Sequence, residues 1–427
     1  MLTVLRQRNF ALLWFGQLIS LTGDYVLIVA LPFYIYQITG SALATGIMFL
    51  VQALPSLFLG SLAGVFVDRW NRRWTMIVAD LARAGILLLL LFVHSRDLLW
   101  VIYAVALIEQ IISQFFIPAK GAIIPNLVEE QYLLPANSLN STSDAITRLV
   151  GPPLGGALLA LSGLSSVVLI DSASYLISGI MILLILMPSQ SAESESEAGA
   201  EKQGETSQRQ QTATTALANV WHEWLAGLRL VVQERLLTAL FVALCFIMLS
   251  QGIINVLIVV FVKAVLHGNA STFGLLITFQ GVGMLLGSFL VGQLGKRLSP
   301  AVLLALGTAP AGVVLWVILN VPNIFLTFAL ITVLGVLVVG FFITEQTLLQ
   351  NGVADEYRGR ILGAYGTTSS LLLIIGIGCG SVLGNYLGVI GALDIASGLF
   401  ALAGLIAFAM LRGTTPSYLQ AQSRSRR

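Results

Sequence analysis

The chain reads as an all-α membrane protein with twelve transmembrane helices, arranged as two six-helix bundles that repeat one another in parallel orientation. Three observations predict this: hydropathy, the placement of the basic residues, and an internal echo at a shift of about 225 positions. With 427 residues, 57% of them hydrophobic and a mean hydropathy of +0.91, the chain has more apolar surface than a soluble core of that size can hide. A membrane-spanning helix needs about 20 mostly apolar residues. Such runs lie near 10–38, 43–67, 74–94, 98–118, 137–161 and 167–187, and again near 236–262, 272–294, 301–320, 323–349, 359–387 and 391–411.

The bases divide unevenly between the two sides of these spans. With the N-terminus inside, 18 of the 22 bases fall on the cytoplasmic side; Arg96 and Lys263 fall outside, and Arg83 and Arg148 lie within helices. That asymmetry predicts a multi-pass protein of a bacterial-type plasma membrane with both termini cytoplasmic. A cleaved signal peptide is the competing reading of the first segment, but its apolar run is too long for a signal core. Cys245 and Cys379 sit in apolar spans, and His94, His222 and His267 are scattered, so neither disulfides nor a metal site is expected.

Composition also divides the chain. Residues 1–188 form the first bundle, and 189–218 are nearly free of large apolar side chains, the mark of a flexible cytoplasmic linker. Residues 219–235 place Trp221, Trp224, Leu225, Leu228 and Val232 at helical spacing, which predicts an amphipathic helix lying at the inner membrane surface. The second bundle then covers 236–412, and 413–427 form a basic tail suited to contact with anionic lipid.

The internal echo joins the halves. "NLVEEQY" at Asn126 is answered by "NGVADEY" at Asn351, "GPPLGGAL" at Gly151 by "GIGCGSVL" at Gly376, and Arg72-Arg73 by Lys296-Arg297. A polar loop in register with the helix matches argues for duplication rather than chance likeness of oily helices. Six spans per copy is an even number, so both copies enter the membrane the same way, and a central site is expected where they meet.

One short connection concentrates charge: Gly64, then Asp68-Arg69, then Arg72-Arg73, between the second and third spans. It resembles the signature loop of the major facilitator superfamily: a Gly, three residues, Asp-Arg, one residue, usually Gly, and two bases. With the twelve spans the resemblance covers essentially the whole chain. Asn71 stands where the family prefers Gly, and Asn also tolerates a left-handed backbone. The resemblance implies a cytoplasmic gate in which the acid docks at the start of helix eleven, here near Arg358, Gly359 and Arg360. Arg72 and Arg73 serve equally well as plain topological anchors.

The helix-five sequence around Gly151, Pro152, Gly155 and Gly156 resembles the Gly-Pro-x-x-Gly-Gly signature of proton-antiporting drug exporters of the superfamily. Gly151 and Gly155 offer a small face for close packing, and Pro152-Pro153 remove backbone donors and favour a bend. Helix eleven carries Gly376, Gly380, Gly384 and Gly388 on one stripe, for which packing is sufficient reason. Local pieces such as "LWFGQLIS", "IPAKGAIIPNLV" and "RGRILGAYG" resemble macrolide-efflux exporters and their siderophore-exporting relatives. The "GD" and "PAK" pieces are also similar to bacterial lysophospholipid transporters.

An ionisable group deep in a span costs on the order of 3 kcal/mol to insert, so each calls for a reason. Asp24 and Glu109 are the deepest, and either is a candidate to carry a proton or meet substrate; for Asp24 a structural, hydrogen-bonded carboxylate is the alternative. Drug antiporters often place an arginine midway along helix four, where this chain has Glu109, an acid able to meet a cationic drug or a proton. Asp80 with Arg83, and Asp144 with Arg148, have the spacing of ion pairs that neutralise themselves along a helix. Asp171 and Asp394 are expected near outer helix ends within reach of water, and Glu345 near a gate base.

These features predict a monomeric secondary transporter, not an enzyme, that exports a lipophilic or amphipathic small molecule by alternating access in exchange for protons. One charge crossing 100 mV supplies about 2.3 kcal/mol, enough for roughly a 50-fold gradient. A lysophospholipid or lipid flippase of the same superfamily is the alternative. No phosphate-binding glycine loop supports an ATP-driven pump, no charged ring supports a channel, topology accounts for the bases without nucleic acid, and no cofactor is implied.

Overall fold

The computed structural model describes residues 2–67, 69–186, 224–294, 298–351 and 355–412. The expected linker 189–218 and the tail 413–427 lie outside them. Among the described residues the chain is helical throughout, and eleven helices are long and apolar enough to cross a membrane. The longest, Leu133–Leu183, is two spans: at Gly163 the backbone turns to φ 76° and ψ −178°, a left-handed conformation suited to glycine. Runs α5 (133–162) and α6 (164–183) flank that residue, which makes twelve spans.

The remaining elements are α1 (Arg8–Thr39), α2 (Ala42–Val67), α3 (Arg72–Leu87), α4 (Leu99–Ile123), the short α7 (Trp224–Gln233), α8 (Arg235–Ala264), α9 (Ala270–Leu294), α10 (Pro300–Asn320), α11 (Ile324–Asn351), α12 (Asp355–Tyr386) and α13 (Gly388–Leu411). Their ends follow local chemistry. Helix α1 stops at Gly40, whose φ of 64° lets its N–H bond the carbonyl of Tyr36. Helix α10 begins with Ser299 capping the Val302 amide and Pro300 in the first turn.

Asn71 departs from its expected role. Its backbone is extended (φ −69°, ψ 107°), and its side chain accepts from the Trp74 amide at 3.2 Å, so it caps α3 rather than forming a left-handed turn. Asn71→Ala is expected to cost about 1 kcal/mol at this helix start, read as roughly fivefold faster hydrogen exchange of the Trp74 amide.

Within the first bundle α1 packs on α5, and α2 and α3 on α4; α6 meets α3 through Ser172, whose hydroxyl bonds the Ala84 carbonyl at 2.8 Å. In the second, α8 packs on α12, α9 on α11 and α10 on α13. Two seams join the bundles, α5 on α9 and α2 on α12. Exchanging the bundles maps α1–α5 onto α8–α12 and one seam onto the other, as expected for two copies in the same orientation.

Both seams are tight only in the half away from the N-terminus. There Gly46 abuts Ser381, Gly384 approaches Ala42, Gly156 abuts Ala270, Gly274 abuts the Pro152 carbonyl, and Phe33 stacks with Phe273 at 6.4 Å between ring centres. Toward the face that carries the N-terminus, the terminal face, the bundles part. Among the described residues, and leaving aside the surrounding turns of the same helix, no atom lies within 4 Å of where a Cβ would stand on Gly64, Gly359, Gly363 or Gly366. A cleft of ~380 Å³ opens there between Ser56 and Leu57 of α2 and Gly359, Arg360, Gly363 and Thr367 of α12.

Helix α7 docks on α12 beside this cleft. Gly227 fits against Arg360 and Ala364, and the Trp224 indole N–H donates to Thr368 Oγ1 at 3.0 Å. The packed face is therefore Trp224, Gly227, Leu228 and Val231, while Leu225 and Val232 of the expected apolar stripe are exposed. Trp221 lies outside the described residues.

Candidate functional site

Four helices of the first bundle bring a polar cluster together inside an otherwise apolar interior. Tyr175 of α6 is fully buried, and its hydroxyl donates toward two acids: Asp24 of α1, and Glu109 of α4 at 3.1 Å. The guanidinium of Arg83, on α3, lies over the Tyr175 ring at 4.2 Å and the Phe116 ring at 4.5 Å, and bonds Ser113 of α4 at 3.4 Å. Arg83 also forms an ion pair with Asp80 one turn earlier, both side chains being buried.

Asp24 and Glu109, the two deepest acids of the sequence, thus share one tyrosine. The arginine absent from the middle of helix four is supplied by α3, since Arg83 acts electrostatically on Asp24, Asp80 and Glu109 together. Asp80 and Arg83 are accordingly part of this cluster and not an isolated helix pair.

Several expectations need correction. Asp171 is not at a water-accessible end: it is fully buried, packed on Gly23 beside Asp24, bonded by Ser174, and within the electrostatic reach of Asp24, Glu109 and Arg83. Asp144 and Arg148 do not pair; both are exposed, and Arg148 Nε donates to the Tyr25 hydroxyl at 2.9 Å. Asp80–Arg83 is the only ion pair among the described residues. Among the described residues Glu345 pairs with no base but accepts from Tyr365 at 2.7 Å in a buried seam. Asp394, near the far face, accepts from Asn320 at 2.9 Å.

The described members of the expected gate lie toward the open terminal face. Asp68 lies outside the described residues, as does the side chain of Arg358. Arg69 is exposed, and Arg360 lines the cleft from α12. Arg72 and Arg73 stay within their own bundle: Arg72 Nη1 donates to the Ala122 carbonyl near the end of α4 at 3.0 Å, and Arg73 Nε to Ile182 at the end of α6 at 3.2 Å. Both carbonyls belong to the last turn of a helix, a favourable place for a cation.

The helix-five glycines divide between two jobs. A Cβ on Gly151 or Gly155 would strike Tyr25 or Val26 of α1, inside the bundle, whereas one on Gly156 would strike Ala270 of α9, across the seam. Pro152 contributes the carbonyl that Gly274 of α9 covers. On α12, Gly376 and Gly380 lie against Leu249 and Ile253 of α8, the counterpart of the α5–α1 contact.

A cavity of ~280 Å³ lies mostly in the second bundle, walled by side chains such as Phe273, Ile277, Leu334 and Phe400, with Ile28 and Phe49 from the first. Its polar groups are three amides, Gln251, Asn255 and Gln280; Gln251 donates to Asn255 at 3.0 Å. Neither the amides nor Tyr175 was expected from sequence. The available signal was Gln251 and Asn255, two amides one turn apart in an apolar run.

Two parallel six-helix bundles, sealed at one end and parted at the other, define a secondary transporter of the major facilitator type, a class of transporters and not of enzymes. Solved structures show the same fold. A bacterial homologue of the iron transporter ferroportin in an inward-facing state superposes with a TM-score of 0.72 at 16% identity, covering 95% of this chain and 99% of that one. An outward-facing state of such a homologue superposes at 0.54, again at 16% identity, with 94% and 99% covered. The chain belongs to the transmembrane secretion effector family, whose profile matches residues 1–425. Relatives include the MFS-type transporter YfiS of Bacillus subtilis, 26% identical over 407 residues (94% of this chain, 92% of the relative). Macrolide efflux protein A of Streptococcus pyogenes is 26% identical over 385 residues (89% and 90%).

Proposed function

We propose that this protein exports a lipophilic or amphipathic small molecule across a bacterial cytoplasmic membrane by alternating access, with proton exchange at Asp24 and Glu109 as the driving reaction. The observation that carries the reading is the charge balance of the cluster: four carboxyl groups, Asp24, Asp80, Glu109 and Asp171, share the Arg83 guanidinium inside the bundle, and the only other cation acting on them among the described residues is Lys120 of α4, which reaches Asp24. Four carboxylates, three of them buried, against two cations are too costly to persist ionised, so the cluster takes up protons and sheds them when water enters. Asp24 is partly exposed and is the group placed to meet that water.

The terminal face is then the cytoplasmic one, and the pose is open to the cell interior, ready to load. Arg69, Arg360 and the neighbouring Asp68 form the gate that closes in the opposite pose. The amide-bearing apolar cavity suits a bulky amphiphile, in line with the similarity to macrolide efflux proteins. The cleft between α2 and α12, with Arg360 at its edge, also favours a lysophospholipid as the second candidate cargo.

The test is uptake into inside-out proteoliposomes of a macrolide panel and a labelled lysophospholipid, with and without a proton gradient. Asp24→Asn and Glu109→Gln are each expected to lower gradient-driven macrolide uptake at least tenfold while leaving exchange without a gradient within about twofold, since each removes a step worth some 1.4 kcal/mol or more. Proton dependence unchanged in both variants would reject the coupling, and lysophospholipid transport indifferent to the gradient would select the alternative cargo.

A further inference from the structure

The second bundle holds a buried acid that the proposed exchange does not use. Glu345, on α11, is 1% exposed. Its Oε2 accepts from the Tyr365 hydroxyl of α12 at 2.7 Å, and its Oε1 has no hydrogen-bond partner. The Tyr365 ring meets Phe241 of α8 edge to face at 6.0 Å, so the pair is walled by apolar groups.

Charge is scarce in every element packed around it. Glu345 is the only charged residue of α11, and neither α9 nor α10 carries any; Lys296 and Arg297, in the connection between those two, lie outside the described residues. Helix α8 has Arg235 and Lys263 alone, at its two ends. On α12, Arg360 is exposed into the cleft, while the side chains of Asp355, Glu356 and Arg358 lie outside the described residues. On α7 Arg229 is exposed, as is Glu234 directly after it. No base lies within ion-pair distance of Glu345 among the described residues.

We propose that Glu345 is a second proton-binding site, separate from the acid cluster of the first bundle, occupied while α12 rests against α11 as it does here. The proton sits on Oε1, and Oε2 serves as the carbonyl that accepts from Tyr365. An unpaired hydroxyl in such a pocket costs a few kcal/mol, whereas an unpaired carboxylate costs far more. A metal ion is a poor alternative occupant, because two oxygens fall well short of the six or more that hard cations gather. The site stands at a place that must move. The same stretch of α12 bears Tyr365 on its packed side and Gly363 and Thr367 on the cleft, so closing the terminal face draws Tyr365 relative to Glu345.

The experiment is infrared difference spectroscopy of the full chain in liposomes, titrated from acid to alkaline pH in light and heavy water. At neutral pH the wild type is expected to show an isotope-sensitive carboxylic-acid carbonyl band that Glu345→Gln removes, equal in area to one carboxyl per chain. Tyr365→Phe should shift that band by removing its hydrogen bond, and Asp24→Asn should leave it in place. The Tyr365 variant serves if the glutamine variant fails to fold. A neutral-pH spectrum unchanged by Glu345→Gln, or a band that Tyr365→Phe does not move, overturns the proposal. The reading stands apart from the export mechanism: loss of proton-coupled uptake in Asp24→Asn with the Glu345 band intact supports both, and the converse pattern rejects each separately.

Discussion

Arg83→Ala is expected to be among the most destabilising single substitutions in this protein. The guanidinium acts on Asp24, Asp80 and Glu109 together, and it is also packed between the Phe116 and Tyr175 rings. Removing it leaves buried acids without a counter-charge and empties the space between two aromatic faces. Breaking a buried pair in this way costs about 3–5 kcal/mol. Thermal unfolding in detergent is the measurement, and Arg83→Lys should recover only part of the loss, because an ammonium keeps the charge but not the planar stacking. Adding Asp80→Asn to Arg83→Ala should restore part of the stability, since the neighbouring acid then needs no partner while Asp24, Glu109 and the emptied space remain. Wild-type stability in Arg83→Ala would mean that the cluster is not electrostatically bound together.

Gly156→Leu should shift the protein out of the pose described here. A side chain at this position meets the backbone of Ala270 and Ser271 across the seam, so the far face cannot close around it. Overpacking of a tight contact costs about 1–3 kcal/mol, which corresponds to roughly a 5- to 150-fold change in the balance of poses. Spin labels on exposed Leu161 and His267 should report a longer separation at the far face. Gly155→Leu is the informative contrast: it clashes with Val26 inside one bundle, so it should lower stability without lengthening that distance. Equal distances in wild type and Gly156→Leu would show that the α5–α9 seam does not govern the pose.

The twelve spans were legible because apolar runs of sufficient length have few other uses, and the parallel repeat was legible because a polar loop echoed in register with them. Asp24 and Glu109 stood out for the same reason in reverse, as charges in oil. Their partner Tyr175 did not, because a tyrosine fits an apolar helix and its hydroxyl partner, Asp24, lies 151 positions away in the chain. Asp171 was misplaced through a boundary: the run expected to begin near 167 starts directly after Gly163, which sets the aspartate deeper in the bundle. Helix α7 shows a different limit. Its buried face is chosen by the close approach of Gly227 to α12, and a glycine adds nothing to a hydrophobic stripe.

The turn at Gly163 has a mechanical consequence. A single residue between two long helices leaves no slack, so α5 and α6 behave as one stiff hairpin that transmits torque from end to end. One arm of that lever carries Gly156 at the α9 contact; the other carries Asp171 and Tyr175. Any swing that frees the first arm must also tug on the second. Lengthening the turn with a few flexible residues would act as a clutch, letting one arm slip while the other stays still.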